Sequence, residues 1–179
     1  MAIITISRGS YSKGKEIAEK VAQELNYEHT SRDVLLEASE HFNVPEIKLI
    51  RALHDAPSIL NRFTYGKEKY VAHIKEAFLD HMIRDNIVYH GLAGHFFLKG
   101  VSHALKVRIN ADLEDRVRLE MERENIPREE ALHLLKKDDY ERRKWSLALY
   151  GVDTADAILY DLVIHINKIQ VDNAVKIIC

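Results

Sequence analysis

Cysteine is almost missing from this chain. The only one is Cys179, the last residue, so no disulfide can close within the sequence and a reducing, cytoplasmic setting is the default expectation. Long apolar runs are also missing. No stretch approaches the roughly 18 residues of a spanning helix. No basic segment followed by an apolar one opens the chain, so no export leader is expected. Neither sign of charge dominates: 26 basic against 28 acidic residues gives a net charge of -2. That balance removes any global attraction to nucleic acid or to an anionic membrane, although local patches remain open. There are ten histidines, yet none stands at metal-ligand spacing with cysteine or carboxylates, so no metal site is expected. Internal repeats and low-complexity tracts are absent too. What is present is ordinary for a soluble globular protein, with 46% apolar and 30% charged residues. Its 179 residues suit one domain with a sizeable core, with or without a small mobile insert.

The hydrophobic pattern alternates between two periods. Ala2 to Ser7 is apolar and β-branched and predicts a buried strand. From Lys15 the period changes, and Ile17, Ala18, Val21, Ala22 and Leu25 share one helical face. A short strand is expected at Tyr27 to His29, then a helix from about Arg32 to Glu40 with Ser31 as N-cap. Pro45 opens another short helix, to about His54. A long helix from Lys67 to Arg84 carries Val71, Ile74, Phe78 and Met82 on one stripe. Strands follow at Asn86 to His90 and Leu105 to Asn110. Charged helices run from Asp112 to Arg123 and on to Leu149, before a strand at Asp161 to Ile166 and a helix at Val171 to Ile178. Strands alternating with helices predict a parallel sheet covered on both faces. The charged stretch from Asp112 to Asp156 reads as a solvated helical excursion between two core strands.

Between the first strand and the first helix lies Gly9-Ser10-Tyr11-Ser12-Lys13-Gly14-Lys15, which fits the first seven positions of G-x-x-x-x-G-K-[ST]. Glycines let backbone N–H groups turn inward around an anion. The N-terminal dipole of the next helix favours negative charge, and the lysine reaches outer phosphates. The eighth position differs: Glu16 stands where a hydroxyl would meet a metal ion. A strand-to-helix turn without a ligand is the bland alternative.

With this loop in place, the stretches ITISRGSYSKGKEIAEKVA, VYHGLAGHFFL and LEDRVRLEMERENIPREEA, and then YGVDTADAILYDLVIHI, resemble the cytidylate kinase-like family of P-loop nucleoside monophosphate kinases. Asp115-Arg116, Glu130-Ala131, Asp139, Arg142, Tyr150-Gly151-Val152-Asp153 and Tyr160-Asp161-Leu162-Val163 carry the most specific part of the likeness. The resemblance implies one three-layer α/β domain over residues 1–179. Its parallel five-stranded sheet would run in the order 2-3-1-4-5, with helices on both faces. An acceptor-side helical region would span 31–84 and a helical lid 112–156. It further implies transfer of the ATP γ-phosphoryl group to a nucleoside monophosphate or a related small acceptor, with ATP and Mg²⁺ as cofactors. Nucleotides would be the partners, and a homo-oligomer is left open. Residues Gly9 to Glu16 (Gly9, Ser10, Tyr11, Ser12, Lys13, Gly14, Lys15 and Glu16) would meet the donor, and Lys15, Arg116 and Arg142 the transferring group.

Some positions depart from the family pattern. Tyr11, Ser12 and Lys13 stand where the family's loops carry glycines, Ser31 where an acidic acceptor-binding residue is expected, and Leu92 after Gly91 where an arginine is expected. The acceptor side would then be met by Ser31, Arg32, Gly91 and the neighbouring histidines, with Arg51 and Arg62 as further substitutes. His90 and His95 flank Gly91 to Gly94 at the expected mouth of the third strand, where ligands bind in open α/β sheets. Each reads either as an acceptor ligand or base, or as a structural histidine. Trp145 and Tyr150 read as packing of the lid against the core, or in the case of Trp145 as a nucleotide stack. Two further functions stay open. One is a catalytically weak or inactive nucleotide-binding regulatory module, and the other is a domain that mediates assembly alone.

Overall fold

The structure, a computed structural model, describes residues 2–9, 12–31, 33–46, 48–49 and 67–179, with backbone alone at 67 and 68. The helix expected after Pro45 lies, beyond Leu49, outside the described residues.

Strand β1 (Ile3–Arg8) is followed by α1 (Gly14–Leu25), β2 (Glu28–Thr30), α2 (Asp33–His41) and α3 (Lys67–Met82). Then come β3 (Ile87–His90), α4 (Gly94–Phe97), β4 (Ala104–Asn110), α5 (Leu113–Glu124) and α6 (Arg128–Tyr150). A 3₁₀ turn at Ala157–Leu159 leads to β5 (Leu162–His165) and α7 (Val171–Ile178). The five strands form one sheet in the order β2-β3-β1-β4-β5, with every neighbouring pair parallel. The expected sheet order is the observed one.

Alternation along β1 divides the core. Ile3 faces one layer, where Phe78, Met82, Tyr89, Phe97 and Trp145 pack between the sheet and α2, α3, α4 and α6. Ile4 and Ile6 face the other, where Ile17, Val21, Val107, Ile164 and Val175 join α1 and α7 to the sheet. A parallel sheet buried on both faces needs this near-continuous run of β-branched residues. The predicted stripe on α3 is the one that is buried: Ile74, Phe78 and Met82 are all within the core. Trp145 is 2% exposed and meets Phe96 and Tyr150 at tilted, edge-on angles, so it packs rather than presenting a face to solvent. A third cluster of Val117, Ala131 and Leu135 ties α5 to α6.

Helix ends follow local chemistry. Asn26 closes α1 in the left-handed region at φ 54°, and its N–H reaches the carbonyls of Ala22 and Gln23. Gly151 ends the 23-residue α6 in the same way, at φ 70°. Neither α4 nor the 3₁₀ turn is visible in the periodicity, because four and three residues are too few to show a period. All carboxyl ends of the strands lie at one edge of the sheet, and β3 and β4 flank β1 on opposite sides there. That edge is the topological switch point, where open α/β sheets bind ligands.

Candidate active site

At that edge opens a cleft of about 560 Å³, lined by Ser7, Arg8 and Gly9 from β1, Leu92 after β3, Asn110 and Ala111 after β4, and His165 from β5. Asp139, Arg142 and Arg143 from α6 and Arg116 from α5 close it from above. The helices that look like a solvated excursion in sequence therefore return their basic residues to the end of the sheet.

The described part of the segment between β1 and α1 is Gly9, Ser12 and Lys13. Ser12 is buried and its hydroxyl donates to the carbonyl of Gly9 at 3.0 Å. Lys13 sits in the left-handed region at φ 58°, the conformation a glycine would adopt without strain. The helix opens at Gly14, so its first-turn amides have no carbonyl of their own helix to bond and carry the positive end of its dipole. Gly14 is required by a close approach: a Cβ there would lie 2.8 Å from Cβ and Cδ of Arg8. Ser10 and Tyr11 lie outside the described residues. Lys15 and Glu16 run along the helix surface. Lys15 Nζ is 3.6 Å from Glu19 with its side chain 70% exposed, and Glu16 is 3.3 Å from Lys20. Neither lines the cleft.

The arginines are anchored individually. Arg116 forks onto Asp139, with Nη1 and Nη2 each donating to a carboxylate oxygen at 2.9 Å. Its guanidinium carbon lies 3.5 Å from where a Gly9 Cβ would stand, so Arg116 packs directly against the Gly9 backbone. Arg142 Nη1 donates to the carbonyl of Arg8 at 3.1 Å, and burial pulls its pKa below the usual arginine value. Arg143 pairs with Asp153 at 2.9 Å. Arg108 donates to the Thr154 carbonyl at 2.7 Å and lies over the Tyr160 ring. Thus Gly9, Arg116 and Arg142 converge, while Lys15 points elsewhere.

The two histidines after β3 occupy different surroundings. His90 is buried on the α1 face, and its Nε2 accepts a hydrogen bond from Arg8 Nε. Burial, reinforced by the charge of Arg8, lowers its pKa to about 3. His95 lies on the opposite face with Nε2 3.3 Å from the Tyr160 hydroxyl and 3.4 Å from Thr154 Oγ1. Burial also lowers its pKa to about 3, with a smaller contribution from Arg108. The Tyr160 hydroxyl lies 2.8 Å from the Thr154 carbonyl and 3.3 Å from Ser7 Oγ of β1, so this group pins the chain after α6 to the sheet. Gly91 sits where a Cβ would meet Tyr89 Oη at 2.5 Å, and that hydroxyl donates to the Leu92 carbonyl at 2.9 Å. Ser31 follows β2 at the same edge, half-buried, and Arg32 lies outside the described residues.

Arg8 and Arg108 were missed by motif reading, yet each carries a signal. In β4 the side chains of Lys106, Arg108 and Asn110 alternate with Leu105, Val107 and Ile109. A charged face on a strand expected to be covered on both sides marks a site. Arg8 continues the face of Ile4 and Ile6 at the last strand position.

A parallel sheet in this order, with a phosphate-type loop between its central strand and first helix, defines the P-loop NTPase fold. The chain belongs to the cytidylate kinase-like family, whose model matches residues 3–168. It is 25% identical to a cytidylate kinase of Staphylothermus marinus over 185 residues, covering 99% of this chain and 94% of that one. A cytidylate kinase of Sulfurisphaera tokodaii is 33% identical over 94 residues, covering 52% of this chain and 51% of that enzyme, about half of each. Among solved structures, an uncharacterized protein from Eubacterium ventriosum superposes with a TM-score of 0.74 at 22% identity, covering 99% of this chain and 96% of that one. Shikimate kinase from Bacteroides thetaiotaomicron superposes at 0.61 and 10% identity, covering 99% and 95%. At these identities the superpositions speak for the fold. Among the described residues no helix is long and apolar enough to cross a membrane.

Proposed function

We propose that this protein is an ATP-dependent phosphotransferase acting on a nucleoside monophosphate or a related small acceptor. One observation carries the reading: Arg116 and Arg142, from two different helices, meet at Gly9 and the carbonyl of Arg8, beside the amino end of α1. Phosphoryl transfer asks a protein mainly to position its reactants and to neutralise charge spread over phosphoryl oxygens. Two guanidinium groups beside a helix N-terminus would supply both. Family membership supports the same class of reaction.

The residues fit a nucleotide's phosphates. Gly14 lets the Arg8 side chain pass against the first turn of α1, and the loop residues Gly9 to Glu16 would cradle the donor. Arg116 and Arg142 would neutralise the phosphoryl group, with Asp139 holding Arg116 in place. ATP would supply the phosphoryl group, and Mg²⁺ would arrive with its phosphates, as such ions commonly do. Lys15 would have to swing from Glu19 to reach them, and its 70% exposure makes that movement inexpensive. The acceptor side would draw on Ser31, Arg32 and Gly91, and residues 113–150 would act as the lid.

The test is a coupled assay with ATP and Mg²⁺ against CMP, dCMP, UMP and AMP. Transfer to one of these, reduced at least about a hundredfold in Arg116→Ala, is the expected result. Full activity in that variant would overturn the assignment. The pairing of Glu16 with Lys20 and of Lys15 with Glu19 favours a second reading, a nucleotide-binding regulatory module. ATP binding with no transfer across the panel would establish it.

A further inference from the structure

We propose that Arg108 binds the phosphate of the acceptor, at an anion subsite on the face of the sheet opposite α1. The proposal rests on reading the cleft as a phosphotransferase site, and it adds a residue that neither the loop motif nor the lid contains.

Strand β4 places Arg108 there by alternation. Val107 and Ile109 pack in the layer that holds α1, so Arg108, between them, points into the other layer. It is in register with Ser7 of β1 and lines the cleft beside it. Three of its five N–H groups are engaged within the protein. Nε donates to Asn110 Oδ1 at 3.0 Å, and Nη1 donates to the Thr154 carbonyl at 2.7 Å and to the Tyr160 hydroxyl at 3.2 Å. The guanidinium carbon lies 5.5 Å from the centre of the Tyr160 ring. These contacts fix the group, and none of them is to a carboxylate. Among the described residues Nη2 makes no hydrogen bond. Arg116 and Arg143 differ in this respect, because Asp139 and Asp153 pair with them. The imbalance extends to the whole cleft: among the described residues, five arginines but only two aspartates line it. Burial is the main cause of the lowered Arg142 pKa, with Asp138 and Asp139 opposing it and the charges of Arg116 and Arg108 adding to it. An anion among these groups would relieve that repulsion. In the proposed reaction the donor phosphates take the Gly9 to Glu16 loop, on the α1 side of β1. Arg108 offers Nη2 to the acceptor's phosphate from the other side, and phosphoryl transfer needs the two brought together at one end of the sheet.

The rival reading is that Arg108 only ties β4 to the chain after α6, through Thr154 and Tyr160. Calorimetric titration of the full chain with CMP, dCMP, UMP and AMP, with the matching nucleosides, and with ATP and Mg²⁺ separates the two. Wild type should bind at least one monophosphate more tightly than its nucleoside. Arg108→Gln should weaken that monophosphate by about tenfold or more, down toward the affinity of the nucleoside, while ATP changes by less than about twofold. In the coupled assay the same variant should raise the KM for the acceptor and leave the KM for ATP nearly unchanged. If Arg108→Gln does not fold, Arg108→Lys replaces it, with a loss of about threefold or more expected because lysine lacks the fixed fork. Wild-type affinity for the monophosphate in whichever variant folds overturns the proposal and leaves the cleft's function standing. So does an equal loss of ATP and monophosphate, which would make Arg108 a structural tie. A wild type that binds none of the monophosphates overturns both this proposal and the acceptor reading.

Discussion

Lys13 holds a left-handed backbone at φ 58° where the loop turns into α1. A side chain in that region costs about 1–2 kcal/mol, of which glycine's larger unfolded-state entropy returns a part. Lys13→Gly should therefore stabilise the protein by about 0.5–1 kcal/mol, read as an increase in the urea midpoint at unchanged slope. A decrease would mean that the lysine side chain contributes more than its backbone conformation costs. The buried histidines supply a second prediction at this scale. His90 and His95 titrate near 3 in the folded chain and near 6.5 when unfolded. Between those values the unfolded chain binds more protons. Stability from these groups is therefore full above about pH 6.5 and is lost as pH falls toward 3. Between pH 7 and pH 5 the loss should be on the order of 2 kcal/mol for each histidine. Urea unfolding at the two pH values checks this, and the difference should shrink sharply in His90→Gln/His95→Gln. An unchanged difference would assign the pH dependence to other groups.

The α5–α6 pair is the element on which the cleft depends. Between the two helices Val117, Ala131 and Leu135 are buried, with Met121, Ile126 and Leu132 packed against them, while Trp145 joins the carboxyl half of α6 to the main core. The bidentate bridge from Arg116 to Asp139 supplements this small core. Asp139→Ala should cost about 2 kcal/mol, the scale of hydrogen bonds to charged groups. The effect should be local. Hydrogen exchange across 113–150 should accelerate while amides of β1 and β3 keep their protection. Uniform acceleration through the sheet would show instead that the pair unfolds only with the whole molecule. At this scale much was legible in advance. The residues of α1, α3 and α7 announce their helices by period, and α7 runs from Val171 to Ile178 as the pattern predicts. The short α4 was not legible. It is held by fit rather than period, with Gly94 packed under the Tyr89 ring, where a Cβ would meet the ring at 2.7 Å.

Across the whole molecule, binding and stability are linked, because a ligand held only by the folded state shifts unfolding by mass action. ATP with Mg²⁺ at about a hundred times its dissociation constant should contribute about 2.7 kcal/mol. For a chain of this length that corresponds to a rise in Tm of roughly 5–10 °C. Adenosine, which lacks phosphates, should shift Tm much less, and Arg142→Ala should reduce the ATP shift. Equal shifts from ATP and adenosine would place recognition on the base rather than on the arginines. No shift from either would favour a domain that serves assembly alone.

The sequence by itself determined the layers, the strand order expected from its resemblance, and the loop at Gly9 to Gly14. These depend on local period, on β-branched runs and on residues adjacent in the chain, all of which are written in one dimension. The tertiary structure decided which charges meet. Arg8 reaches His90 across 82 positions and Arg142 reaches the Arg8 carbonyl across 134. Arg116 finds Asp139 only because α5 and α6 fold back on each other. Lys15, the residue the motif favours most, lies along α1 beside Glu19, since a helical side chain one turn from a carboxylate finds its nearest partner there. Charge in a sequence has no direction until packing orients it, which is why the helices that read as a solvated excursion contribute Arg116, Arg142 and Arg143 to the cleft.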